Sequence, residues 1–141
     1  MALNALERHL ALVGFMGAGK TTLAEPVAAR LGRKAVDADR ALEGRAQISV
    51  SGFFAKRGET EFPVAEAGLA REILRDPVPA VIALGGGAVK TPEVRRALDE
   101  HALTVLLEVD ADTAWERVRG GDRPLAQDEA AFRRLFDERQ P

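Results

Sequence analysis

Three runs of the chain are apolar at nearly every position, and segments with helical spacing of their apolar residues separate them. His9–Phe15 (HLALVGF), Pro79–Leu84 (PAVIAL) and Leu103–Val109 (LTVLLEV) carry apolar side chains on both alternating faces, as strands buried between two helical layers require. Lys34–Asp37 (KAVD) predicts a shorter fourth strand. Helical spacing predicts a first helix over Lys20–Leu31, bent at Pro26, and shorter pieces over Arg40–Gln47 and Val50–Lys56. Thr60, Thr91, Asp110 and Asp128 each stand where an N-cap would precede a helix, with Pro92 at a first helical position. The resulting order, β-α-β-α-α-α-β-α-β-α-α, is that of the α/β class, a parallel sheet flanked by helices. No internal repeat, low-complexity tract or linker interrupts it, so one domain is expected over residues 1–141.

Length and composition narrow the function classes. A chain of 141 residues builds one sizeable core and is short for two. No apolar run approaches the roughly 20 residues of a membrane helix. Met1 to Arg8, with Glu7 and Arg8, lacks the pattern of a secretory signal. Cysteine is absent, which excludes disulfides and thiolate metal sites and fits a cytoplasmic protein. The net charge is −2, with both signs interleaved. Such a surface has no basic field for nucleic acid, so a bound phosphate is expected to belong to a small molecule.

The chemistry begins at Gly14-Phe15-Met16-Gly17-Ala18-Gly19-Lys20-Thr21-Thr22, which fits glycine, four residues, glycine, lysine, then serine or threonine. A predicted strand enters it and a predicted helix leaves it. Glycines there let the backbone wrap phosphates, while the N–H groups from Gly17 to Thr22 and the positive helix end face their oxygens. Lys20 adds a mobile charge for the β- and γ-phosphates, and the Thr21 hydroxyl is placed to ligate magnesium. A glycine-rich turn capped by threonine is the plainer alternative, and the flanking elements weigh against it. ATP and Mg2+ are therefore the expected cofactors.

Asp37 and Asp39 close the second strand two positions apart. If the strand persists that far, both carboxylates face the crevice beyond the strand ends. Asp37 would then support the metal, and Asp39 would accept a proton or hydrogen bond from a substrate hydroxyl. The competing reading makes Asp39 the cap of a helix starting at Arg40. Gly85, Gly86 and Gly87 follow the third strand and leave room for a ligand at the backbone. Residues 119–127, with Arg119-Gly120-Gly121-Asp122-Arg123-Pro124-Leu125, form a polar break suited to a lid, with Arg123 as a phosphate clamp or an ordinary surface arginine.

Taken together, these motifs resemble shikimate kinase, within the nucleoside-monophosphate-kinase-like P-loop fold. The resemblance rests on residues 14 to 22, Val-Asp-Ala-Asp (36 to 39), Phe-Phe-Ala-Lys-Arg-Gly-Glu-Thr-Glu-Phe (53 to 62), the three glycines, Arg-Pro-Leu (123 to 125) and Glu-Arg-Gln-Pro (138 to 141). It implies a three-layer fold and ATP-dependent phosphorylation of the 3-hydroxyl of shikimate by a monomer or a fused domain. Asp39 would contact that hydroxyl, Gly86 would contribute to the substrate pocket and Arg139 would grip the carboxylate. Lys20 and Arg123 would serve the transferring phosphoryl group, and Arg117 would lie on the adenine side.

Two departures stand out. Where the family reads Glu-Phe-Arg, this chain has Glu61-Phe62-Pro63, although Glu66 still matches. The family also continues beyond the position of Pro141 with a last strand and helix, whose absence would leave Leu103–Val109 at a sheet edge. That implies a fragment, a fusion or a degenerate protein. The alternatives to shikimate phosphorylation are a kinase for another small hydroxylated acid or sugar, and a nucleotide-binding domain without catalysis.

Overall fold

A computed structural model describes residues 7–15, 18–46, 64–85, 88–119 and 128–138. Strands β1 (His9–Val13), β2 (Lys34–Asp37), β3 (Ala80–Ala83) and β4 (Ala102–Leu106) form one parallel sheet in the order β2-β3-β1-β4. Helices α1 (Lys20–Leu31), α2 (Ala38–Ala46), α3 (64–75), α4 (Pro92–His101), α5 (Ala111–Val118) and α6 (Glu129–Glu138) surround it, with a 3-10 turn at Ala88–Lys90. Three apolar runs, the short KAVD strand and the first helix were all legible. The first strand stops at Val13 rather than Phe15 because Gly14 already turns into the phosphate-type loop. The piece predicted over Val50–Lys56 and the Thr60 cap fall outside the described residues.

The strands' period of two sorts their side chains into two cores. Ala11, Val13, Ile82 and Leu84 meet Ala70 and Leu74 of α3 and Val94 and Leu98 of α4. Leu12, Val81 and Ala83 meet Ala24 and Ala28 of α1, whose small side chains suit close packing on the sheet. Val81, Ile82 and Leu84 are fully buried, each contributing about 1.5–3 kcal/mol relative to exposure. α1 runs through Pro26 as one helix. β4 occupies the sheet edge, where Leu103, Val105 and Leu106 are 55%, 38% and 50% exposed. Among the described residues, no helix is long and apolar enough to cross a membrane.

Three of the predicted caps fall among the described residues. Asp110 accepts the Thr113 N–H at 2.7 Å and the Thr113 hydroxyl at 2.9 Å. The Thr113 backbone and hydroxyl bonds hold the Asp110 carboxyl below its ordinary range. Asp128 accepts the Ala130 N–H at 2.9 Å and so caps α6. Thr91 occupies the cap position ahead of Pro92, but its side chain makes no capping bond.

His9 fixes the end of the sheet away from the strand C-termini. Its ring is 3% exposed, and Nδ1 accepts the Ala80 N–H at 3.0 Å. Nε2 must then carry the proton, which it donates to the Asp76 carbonyl at 2.8 Å. The ring thus ties β1 to the turn that enters β3. His9→Ala leaves the buried Ala80 N–H and the part-buried Asp76 carbonyl without their partner and opens a cavity, so it should destabilise the fold by about 2–4 kcal/mol. Urea unfolding measures this, and a loss under about 0.5 kcal/mol would contradict the clamp.

Candidate active site

The strand C-termini converge in one row, with Asp37 in register with Ala83 and Ala83 with Leu12. α1 leaves β1 on one face of the sheet, while α4, which follows β3, packs on the other. Adjacent strands whose chains depart to opposite faces open a crevice, the usual ligand site of such sheets.

Gly14 begins the loop at that crevice. A Cβ on it would sit 2.5 Å from the Leu107 carbonyl oxygen, a backbone atom that cannot swing away, so only glycine fits. Ala18 N–H closes the loop onto the Phe15 carbonyl at 3.1 Å. Gly19 enters α1 in the left-handed region (φ 97°), which favours glycine. It supplies no side-chain cap, and the first turn of α1 contains no acidic residue. The first-turn N–H groups and positive helix end therefore carry no acidic side chain of the helix's own, which suits phosphate oxygens.

Lys20 lies across this loop, 9% exposed, donating to the carbonyls of Gly14 and of Phe15, the latter at 3.5 Å. Phe15 anchors the loop from below. Its ring meets Phe132 and Phe136 of α6 edge-on, with centroids 5.1 and 5.2 Å away. That anchor escaped the motif reading, although Phe132, Leu135 and Phe136 recur at the i, i+3, i+4 spacing of a buried helix face.

Thr21 and Asp37 come together as expected, with the Thr21 hydroxyl donating to Asp37 Oδ2 at 2.8 Å. The expected strand geometry of Asp37 and Asp39 does not hold. β2 stops at Asp37, because Asp37 Oδ1 accepts the N–H groups of Asp39 at 3.0 Å and Arg40 at 3.2 Å and starts α2 at Ala38. Asp37 is therefore the helix cap that Asp39 had been weighed for, and Asp39 sits in the first turn of α2. It still faces the crevice: its Oδ1 lies 3.4 Å from where a Gly85 Cβ would be, and Glu66 Oε2 lies 2.7 Å from the same point. Glu66 matched the motif but was not among the expected site residues. Sequence distance conceals how α3 brings it to the glycine turn.

Thr21 and Asp37 offer a hydroxyl and a carboxylate, the hard oxygen donors magnesium prefers. Two protein donors suit an ion that keeps several waters and phosphate oxygens, and among the described residues no larger metal-ligand cluster competes. Thr22 is exposed at the start of α1, and Arg117 is exposed on α5, where its charge helps lower the Asp110 carboxyl. Gly17, Gly86, Gly87, Arg123, Arg139 and most of the 119–127 segment lie outside the described residues.

Comparison with known proteins places this arrangement among relatives. The family model described as shikimate kinase matches residues 16–141. A shikimate kinase of Nitrobacter winogradskyi is 44% identical over 138 residues, covering 95% of this chain and 64% of that protein. One from Ruegeria pomeroyi is 37% identical, covering 97% of this chain and 72% of its own length. The structure of shikimate kinase from Acinetobacter baumannii in complex with shikimate superposes with a TM-score of 0.85 at 33% identity, over 92% of this chain and 73% of that one. The chain thus spans about two thirds of the length of the relatives it matches.

Proposed function

The chain belongs to the shikimate kinase family, and we propose that it transfers the γ-phosphoryl group of ATP to the 3-hydroxyl of shikimate, in the cytoplasm, as one domain with a lid over 119–127. The observation that carries this reading is the adjacency of two half-sites at one sheet end. The phosphate-type loop with Lys20 and the Thr21–Asp37 pair form one. The Asp39 carboxylate beside Gly85 forms the other.

Roles follow from the chemistry of each group. The N–H groups of Gly17 to Thr22 hold the phosphates. The Asp39 carboxylate accepts the proton as the substrate hydroxyl oxygen attacks the γ-phosphorus. The bond from that phosphorus to the β–γ bridging oxygen breaks, and the Lys20 ammonium stabilises the charge gathering on the ADP formed. Thr21 and Asp37 would hold Mg2+, which when bound neutralises phosphate charge. Arg123 would clamp the phosphoryl group, Arg117 would border the adenine, and Gly85, Gly86, Gly87 and Arg139 would shape the acceptor side. ADP release at saturating MgATP tests the reading: it should rise at least about tenfold with shikimate over other hydroxylated acids, and acceptor-independent release would contradict it.

Pro63 favours a second reading, a kinase whose acceptor has no carboxylate, because it removes one cationic fork expected by resemblance. A charged hydrogen-bonded pair contributes roughly 1.5–3 kcal/mol, so Pro63→Arg should tighten shikimate binding about tenfold to a hundredfold. Calorimetric titration, with an ATP analogue as control, measures this. Unchanged affinity in the mutant alongside tight binding by the parent would assign the fork to another residue such as Arg57.

A further inference from the structure

Gly85 stands two residues beyond the β3 end, and its φ lies outside the left-handed region, so the backbone alone does not demand glycine there. Space demands it. An added Cβ would stand 2.7 Å from Glu66 Oε2, closer than such contacts occur, and 3.4 Å from Asp39 Oδ1, an ordinary contact. The two carboxylate oxygens therefore crowd the same methyl-sized volume from α3 and from α2. Glu66 is half-buried at the end of a flexible side chain. A methyl group at position 85 would displace that carboxylate before it displaced any backbone.

We propose that Gly85 is a positioning residue for phosphoryl transfer, acting through Glu66. The missing side chain lets the Glu66 carboxylate stand beside Asp39, and Glu66 in turn limits where the Asp39 carboxylate can point. Two like charges in a half-buried crevice repel, so the position of one biases the rotamer of the other. This rests on the kinase reading above, in which Asp39 receives the hydroxyl proton. Under it, the first of the three glycines shapes the proton acceptor, whereas Gly86 and Gly87 remain available to the ligand.

The test is a double-mutant cycle of Gly85→Ala and Glu66→Asp, read as kcat/KM for shikimate, KM for ATP and melting temperature. Gly85→Ala should lower kcat/KM for shikimate by about tenfold or more, as misplacement of a reacting group does, with the KM for ATP within about twofold of the parent. Its melting temperature should match the parent's, because the methyl meets side-chain atoms of Glu66 and Asp39 and no backbone atom. Glu66→Asp withdraws the carboxylate by one methylene, so the double variant should recover at least about fivefold of the Gly85→Ala loss, an interaction no independent pair shows. Glu66→Gln, which keeps shape and removes charge, should also lower kcat/KM for shikimate. Parental kcat/KM in Gly85→Ala or in Glu66→Gln would overturn the proposal, as would a double variant equal to the product of the single losses. A parent that transfers no phosphate to any acceptor would overturn both the kinase reading and this role; an active parent with additive variants would overturn this role alone.

Discussion

Lys20→Ala should lower kcat for phosphoryl transfer by about three orders of magnitude or more and weaken ATP binding. Removing a single preorganised donor from a developing anion costs about 10²- to 10³-fold, and removing a full charge from a transferring phosphoryl group costs up to about 10⁵-fold. Lys20 belongs to the upper range because its ammonium is buried in the loop itself, held by the carbonyls of Gly14 and Phe15, rather than reaching in from the surface. The fold should survive the change. The contacts to the Gly14 and Phe15 carbonyls are worth about 1 kcal/mol each, and the core under the loop rests on Phe15 against α6. Steady-state kinetics with calorimetric ATP titration separates the two effects. Turnover within about tenfold of the parent would remove Lys20 from the chemistry.

Asp39→Asn is expected to cut kcat by about 10²- to 10⁴-fold, the range of a lost general base, with ATP affinity within about twofold of the parent. The separation follows from geometry. Thr21 and Asp37 face each other across a 2.8 Å hydrogen bond on the nucleotide side, while Asp39 faces Gly85 and Glu66 from the first turn of α2. The asparagine keeps the shape and loses the ability to take the proton. Since Asp37, not Asp39, caps α2, the helix start should be untouched. An equal loss of ATP affinity would move Asp39 to the nucleotide side.

The elements that sequence reading recovered are those whose signal is local. The continuous apolar runs HLALV and AVIA, the glycine-lysine loop that opens the first helix, and the Asp110 and Asp128 caps each depend on residues a few positions apart. What it placed wrongly is the Asp37–Asp39 pair, because strand extension and helix capping compete for the same Asp-x-Asp spacing. The backbone N–H groups of Asp39 and Arg40 decide for the cap. What it left unassigned depends on contacts between distant segments: Glu66 against Gly85, Phe15 against Phe132, and His9 between Asp76 and Ala80. No periodicity encodes such pairs. The match of Glu66 to the family motif was a hint, but only the fold shows which backbone it approaches.

Whether Asp39 and the phosphate-type loop serve one phosphoryl transfer to shikimate is read from the product. The chain is incubated with shikimate, ATP and Mg2+, and the reaction is followed by phosphorus NMR. A new phosphomonoester resonance, coupled to the proton on carbon 3 of shikimate, should grow in step with ADP and be absent when shikimate is omitted. ADP without that resonance, or a phosphoester on a different hydroxyl, would contradict it.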